Sequence, residues 1–188
     1  MKKSIMAQAL IFPTPVFVLG TYDKGGKPNA ATFAWGGIAS SKPASVSVAV
    51  RPSRYTYEAL LERKSFTVNL PTYKHVDEAD YFGMVSGRNA DKFAATGLTP
   101  VKSEFVDAPY IEEFPYALEC AVTHTIDLGV HILFIGEVKN VIVDESIDSS
   151  GNFISDLGIL TFDSSSRQYR VPGNVAAAAF ECGRRFIK

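Results

Sequence analysis

Short apolar runs separated by turn-forming residues dominate the sequence. The most regular run, residues 45–50, places Val46, Val48 and Val50 on one face and small residues on the other, as expected of a half-buried strand. The turn-rich segment 23–28 predicts a hairpin between the runs that flank it. Runs of similar character predict strands at residues 16–22, 29–35, 65–70, 117–126 and 131–143.

Helical periodicity is confined to short segments. It predicts three helices, the first with Thr56 suited to cap its start, at residues 56–64, 76–84 and 91–95. These helices are too few and too irregularly placed for a doubly wound sheet. Long antiparallel strands with a few short helices predict a mainly β fold, a closed or partly closed barrel. No linker or repeat divides the chain, so residues 1–188 are expected to form one domain.

Composition narrows the classes of function. The chain has 188 residues, of which 46% are hydrophobic, so it can bury a sizeable core. Its 19 basic and 20 acidic residues give a net charge of −1, which argues against a nucleic-acid partner. No apolar run approaches the roughly 20 residues that a membrane span needs. Cys120 and Cys182 show no disulfide framework, so free thiols and a cytoplasmic location are expected.

Several familiar motifs are missing from the sequence. It contains no G-x-G-x-x-G, no G-x-x-x-x-G-K-[ST] and no G-x-S-x-G, which argues against a Rossmann dinucleotide domain. The three His and two Cys residues are not closely spaced, so no metal site is expected.

Three polar segments carry candidate chemistry. In the first segment, residues 29–37, small side chains around Thr32 leave room for a flat ligand, and Gly36 and Gly37 permit close approach of the backbone. The alternative interpretation of this segment is an ordinary hairpin strand without a ligand. Residues 51–56 lie before a predicted helix N-terminus, where unpaired N–H groups favour anions, and the basic segment 86–93 is placed similarly. Residues 51–56 form a candidate phosphate site because four of their side chains can donate hydrogen bonds, namely Arg51, Ser53, Arg54 and Thr56. The alternative interpretation is a solvated loop.

The histidines differ in their predicted surroundings. His131 follows a turn at a strand start, where barrel mouths place functional groups, and an imidazole can deliver protons near neutral pH. His124 shares a predicted apolar face with Cys120, which favours a partly buried position for His124 and a core position for Cys120.

An ordered series of short motifs, running from near the N-terminus to about residue 143, resembles the flavin reductase-like family and its flavoredoxin branch. The matching residues are Phe12-Pro13-Thr14-Pro15-Val16, Gly20-Thr21-Tyr22-Asp23, Pro28-Asn29-Ala30, Trp35-Gly36-Gly37, Tyr55-Thr56-Tyr57, Asp80-Tyr81-Phe82-Gly83-Met84, Ser86-Gly87-Arg88, Asp91-Lys92-Phe93, Asp107-Ala108-Pro109-Tyr110, Leu128-Gly129 with His131, and Phe134-Ile135-Gly136-Glu137-Val138.

The resemblance implies a split β-barrel that forms a homodimer and holds FMN non-covalently near the subunit interface. By position, Asn29, Thr32 and Trp35 would lie near the isoalloxazine. The residues implied around the phosphate and ribityl chain are Arg51, Ser53, Arg54 and Thr56. The residues implied to complete the site are Ser86, Gly87 and Lys92. In related flavin reductases a Gly-Asp-His motif places its His near the nicotinamide or the flavin; His131 holds that position here, with Val130 in place of the Asp.

The resemblance, together with the residues above, implies an FMN oxidoreductase in which His131 is the catalytic residue. Its electrons would come from NAD(P)H or a redox protein, and NAD(P)H would be a co-substrate that stacks on the exposed flavin, since a Rossmann unit is missing. Two alternatives remain: an FMN electron carrier without NAD(P)H turnover of its own, and a non-redox barrel that binds a small molecule.

Overall fold

The computed structural model describes residues 1–147, 154 and 157–187. Its helices are α1 (Tyr55–Arg63), α2 (Val76–Met84) and α3 (Lys92–Thr96), with 3-10 turns at Tyr73–His75 and Arg184–Phe186. Among the residues described, every helix is too short or too polar to span a bilayer. The strands are β1 (Thr14–Pro15), β2 (Phe17–Tyr22), β3 (Pro28–Phe33), β4 (Gly36–Ser41), β5 (Ala44–Val50), β6 (Ser65–Asn69), β7 (Pro100–Lys102), β8 (Pro109–Ile111), β9 (Tyr116–Asp127), β10 (Ile132–Val143), β11 (Thr161–Asp163) and β12 (Gln168–Arg170).

Seven strands form one sheet, in the order β3-β2-β6-β9-β10-β5-β4. A flat sheet of this order would separate its edge strands by about 29 Å, because neighbouring strands lie about 4.8 Å apart. The edge strands β3 and β4 are nevertheless consecutive in the chain, and the backbone from Phe33 to Gly36 can span at most about 11 Å. The sheet therefore curls into a barrel. The N–H of Ala49 in β5 donates to the carbonyl of Trp35 at 2.7 Å and ties this connection to the barrel.

Strand β2 carries apolar side chains on both faces and separates two hydrophobic clusters. Phe17 and Leu19 belong to one cluster with Phe66 of β6. Val18 belongs to the other, with Phe82 of α2. Because successive side chains of a strand point to opposite faces, one strand contributes to both the barrel core and the layer under α2 and α3.

The predicted strands and helices are confirmed to within a few residues at their ends, but the predicted cap is wrong. Helix α1 begins at Tyr55, and its N-cap is Arg54, which makes no side-chain capping bond. The Thr56 hydroxyl instead accepts a hydrogen bond from Nδ2 of Asn29 at 3.2 Å. Helix α3 ends at its C-cap residue Gly97, which has the left-handed conformation (φ 74°).

The expected burial of His124 is also wrong. The pairing of β9 with β10 shifts register at Thr123, and from this residue to the end of β9 the side chains of both faces are exposed. His124 lies in this exposed end of the strand, whereas Cys120 lies before it and is fully buried. Desolvation raises the pKa of the Cys120 thiol to about 12, which fits a core cysteine.

Of the two glycines at the start of β4, only Gly36 needs its missing side chain. A Cβ at Gly36 would lie 2.7 Å from the Phe17 ring and from the Ser47 carbonyl oxygen, whereas a Cβ at Gly37 would meet nothing within 4 Å. The close approach expected here therefore brings β4 onto the barrel core, and neither glycine lines the cleft described below.

Candidate functional site

A cleft of about 660 Å³ lies where the barrel meets the helices, a volume in the range of small-molecule sites. Its walls come from the β3–β4 connection, the β5–α1 loop, the segment from α2 to α3, the start of β10 and the β11–β12 hairpin. All predicted site residues except Asn29 line it, namely Thr32, Trp35, Arg51, Ser53, Arg54, Thr56, Ser86, Gly87, Lys92 and His131.

The β5–α1 loop brings two guanidinium groups to the cleft. Arg51 and Arg54 are exposed, and neither has a side-chain hydrogen-bond or ion-pair partner in the part of the chain that the structure describes. The loop itself is ordered by backbone bonds, since the N–H of Arg54 donates to the carbonyl of Arg51 at 3.0 Å. Helix α1 starts directly after this loop, so its N-terminal N–H groups add to the positive potential.

Lys92, at the start of α3, is the buried cation of the cleft, with 4% of its surface exposed. Its Nζ donates to the carbonyls of Ala30 at 2.6 Å and Phe82 at 2.8 Å. Burial, together with the nearby positive charge of Arg54, lowers the pKa of Lys92 to about 8. An anion bound beside this pair would remove their repulsion, so the local electrostatics favour a negatively charged ligand.

Asn29 supports the cleft from behind. It is buried, and its Nδ2 donates to the hydroxyl oxygen of Thr56, which leaves the Thr56 proton available as a donor. Gly87 packs tightly against the same residues, because a Cβ there would overlap Oδ1 of Asn29 and lie 2.5 Å from the Tyr55 ring. Glycine at this position therefore lets the backbone approach the cleft wall closely.

The basic segment 86–93 contributes less charge to the cleft than its composition suggests. Arg88 is not among the lining residues; it pairs with Glu58 at 3.2 Å, donates to the carbonyl of Ser53 at 3.1 Å and lies 5.3 Å from the Tyr55 ring centroid. Ser86 lines the cleft, and its Oγ accepts from the N–H of Arg88 at 3.3 Å. Lys92 is thus the cation of this segment that faces the cleft.

Trp35 and His131 form an aromatic wall, although they are far apart in sequence. Their rings are nearly parallel, with an angle of 8° and centroids 6.4 Å apart. The Trp35 carbonyl is bonded to Ala49 of β5, and the Trp35 side chain is 48% exposed. Thr32, on β3, also lines the cleft, and its hydroxyl donates to the carbonyl of Ala79.

The β11–β12 hairpin provides a wall that was not predicted. Phe162, Ser164, Arg167 and Tyr169 line the cleft from this hairpin. Tyr169 anchors it to α2, because its hydroxyl donates to Oδ1 of Asp80 at 2.9 Å. Desolvation, with this hydrogen bond, raises the pKa of Tyr169 above its ordinary value. A serine-rich turn between short aromatic-containing runs is the local signal for such a hairpin.

The part of the chain that the structure describes contains no group of three His, Cys, Asp or Glu side chains placed to hold a metal ion. The cleft therefore offers cations, hydroxyls, backbone N–H groups and aromatic rings. This set suits an organic anion with a flat ring system.

Comparisons with known proteins agree with this geometry. The family model described as "Flavin reductase like domain" matches residues 8–168. The chain is 45% identical to flavoredoxin of Desulfovibrio vulgaris (Miyazaki F), covering 97% of this chain and 100% of that one with a TM-score of 0.91. It is 28% identical to flavoredoxin from Methanosarcina acetivorans, covering all of both chains with a TM-score of 0.90.

A split-barrel protein from Shewanella frigidimarina shares the fold, with 20% identity over 90% of this chain and 87% of that one and a TM-score of 0.80. The predicted barrel is thus confirmed as a mainly β split barrel. A curated relative from Aeropyrum pernix is 35% identical over 136 residues, or 71% of this chain, but the chain spans only 51% of that relative's length.

Proposed function

Because the chain belongs to the flavin reductase-like domain family, we propose that it is an FMN-binding oxidoreductase that transfers electrons between a reduced donor and an acceptor. The donor is NAD(P)H or a redox protein. The proposal includes one domain of this type over residues 1–188 and non-covalent retention of FMN.

The observation that carries this proposal is the pair of neighbouring cations in the cleft. Arg54 and the buried Lys92 repel each other, and no carboxylate of the described residues is paired with either. A near-dianionic phosphate fits between such groups, and the unpaired guanidinium of Arg51 and the hydroxyls of Ser53, Thr56 and Ser86 provide further donors.

The remaining lining residues fit the other parts of FMN. In our proposal, the small and aromatic residues around Thr32 and Trp35 hold the isoalloxazine, while Asn29 positions Thr56 from behind and the Gly87 backbone borders the ribityl chain. FMN supplies the redox chemistry when bound, and the protein orients it and controls its access to water. His131 would hold or deliver a proton beside the ring.

The absorption spectrum of the purified protein tests the flavin directly. Flavin bands, or their appearance with added FMN, are expected, and a protein that shows neither is a non-redox barrel.

The phosphate role is tested by replacing both Arg51 and Arg54 with Ala. Each charge-assisted hydrogen bond contributes about 1.5–3 kcal/mol, so we expect FMN to bind at least tenfold more weakly and riboflavin to change little. Lys139→Ala is the control, because Lys139 pairs with Glu137 at 2.7 Å on β10 and does not line the cleft. Equal losses for FMN and riboflavin would contradict the phosphate role.

A carrier without NAD(P)H turnover is the second candidate, favoured by the similarity to flavoredoxins and by the exposed, apolar Val130 beside His131. Anaerobic mixing with NADH or NADPH separates the two. Bleaching of the flavin supports the enzyme, and the His131→Ala variant should then be reduced more slowly at unchanged FMN content. If neither nucleotide bleaches the flavin, the protein is a carrier.

We also propose that the protein is a homodimer. Ile38 is 87% exposed on β4, an edge strand of the seven-stranded sheet, and Leu128 and Val130 are 59% and 63% exposed at the β9–β10 turn. In our proposal the second copy covers β4, because an exposed edge strand that carries an apolar side chain is a surface on which another chain can pair or pack.

A further inference from the structure

The cleft holds more positive charge than one phosphate can balance. Arg51, Arg54, Lys92 and Arg167 line it, and Asp80 is the single carboxylate among the lining residues that the structure describes. With Lys92 protonated, the lining has three net positive charges. A phosphate monoester carries about 1.5 to 2 negative charges near neutral pH, so about one positive charge is left over.

Arg167 is the cation that stands apart from the other three. Arg51 and Arg54 share the β5–α1 loop, and Arg54 is close enough to Lys92 to lower its pKa. Arg167 lies instead in the turn between β11 and β12. That hairpin pairs with β1 and is bonded to α2 through Tyr169 and Asp80, so Arg167 belongs to a different wall of the cleft.

The hairpin presents Arg167 with its charge uncompensated. Asp163, the acid of this turn, accepts hydrogen bonds from the N–H and hydroxyl of Ser165 and pairs with Arg170 at 3.6 Å. Arg167 itself takes a left-handed conformation (φ 55°), and its guanidinium has no hydrogen-bond or ion-pair partner within the described ranges. Ser164 lines the cleft from the same turn and adds a hydroxyl donor.

We propose that Arg167, assisted by Ser164, binds an oxyanion carried by the second small molecule that exchanges electrons with the flavin. The inference rests on the proposed function, because the surplus charge is counted after the FMN phosphate. The oxyanion is a phosphate, as on a nicotinamide dinucleotide, or a carboxylate, as on an aromatic acid. Both suit the planar fork of a guanidinium.

The test compares the FMN-loaded protein with its Arg167→Met and Arg170→Met variants. Arg170 lies in the same hairpin and carries the same charge but does not line the cleft, so Arg170→Met is the control for long-range charge effects. Calorimetry measures the dissociation constants of three probes: NADP⁺ for the phosphate source, benzoate for the carboxylate source, and neutral benzamide. FMN affinity is measured separately on each variant.

We expect Arg167→Met to weaken binding of an anionic probe at least tenfold, with less than a threefold change in Arg170→Met and in benzamide binding. The anion that shows this dependence identifies the source. The proposal is overturned if both variants lose equally, if neither anion binds the wild-type protein, or if Arg167→Met weakens FMN binding as the Arg51 and Arg54 substitutions do. Failure of the wild-type protein to take up FMN would refute the proposed function instead, and the same calorimetry on FMN-free protein would still decide the role of Arg167.

Discussion

At the scale of single residues, burial lowers the pKa of Lys92, so the charge of this side chain depends on what is bound beside it. Two backbone carbonyls hold its ammonium group inside the protein, and Arg54 adds repulsion. Both burial and repulsion disfavour the charged form. Neighbouring Asp91 does not offset this, since its carboxylate caps α3 by accepting from the N–H of Ala94 and pairs with Lys27 at 3.2 Å.

This arrangement predicts a pH dependence of FMN affinity. Lys92 has a pKa of about 8 in the free protein, and a bound phosphate would raise it. Below pH 8 the ammonium is present in both states. As the pH rises above 8, the free protein loses the proton while the complex keeps it, so FMN affinity should fall, by up to tenfold per pH unit. Titrations with FMN and with riboflavin between pH 7 and 10 measure this, and riboflavin, which lacks the phosphate, is the control. A constant ratio of the two affinities would contradict a Lys92–phosphate contact.

At the scale of elements, β4 depends on one close contact. Side chains on successive strand residues face opposite ways, so Gly36 faces the barrel core and Gly37 faces away from it. The close approach of Gly36 to Phe17 and to the Ser47 carbonyl lets β4 pair with β5 over the barrel core. This pairing places the preceding residue, Trp35, at the cleft.

Alanine substitution of each glycine tests this packing. Gly36→Ala should destabilise the protein by about 1–3 kcal/mol, because the new methyl group overlaps the Phe17 ring and a β5 carbonyl. Gly37→Ala, the matched control one residue away, should stay within about 0.5 kcal/mol. Urea unfolding at one fixed protein concentration measures both. Similar midpoints for the two variants would show that β4 is not seated on the core as described.

At the scale of the whole molecule, the face of edge strand β4 that exposes Ile38 predicts association of two copies. Ile38→Asp should shift the sedimentation coefficient towards that of a 20.5 kDa monomer, because a buried charge without a partner opposes the interface. Phe105→Asp is the control, since Phe105 is similarly apolar and 57% exposed but lies between β7 and β8. If Ile38→Asp sediments as the wild-type protein does, this face is not the dimer surface.

The sequence alone determined most of the secondary structure and most of the candidate cleft. The alternation of Val46, Val48 and Val50 specifies β5, and the turn residues 23–28 specify the β2–β3 hairpin, because each signal is complete within a few neighbouring residues. The grouping of arginines and hydroxyls before α1 was visible for the same reason. Those residues are adjacent in the chain, so no fold is needed to bring them together.

Tertiary structure alone decided how these pieces meet. Barrel closure places the ring centroids of Trp35 and His131 6.4 Å apart, and the end of β9 that carries His124 is exposed on both faces because no other part of the fold covers it. The β11–β12 hairpin places Arg167 at the cleft, and the carbonyls of Ala30 and Phe82 hold the Lys92 ammonium group in a buried position. Each of these outcomes depends on which residues far apart in the chain come into contact, and local periodicity does not encode this.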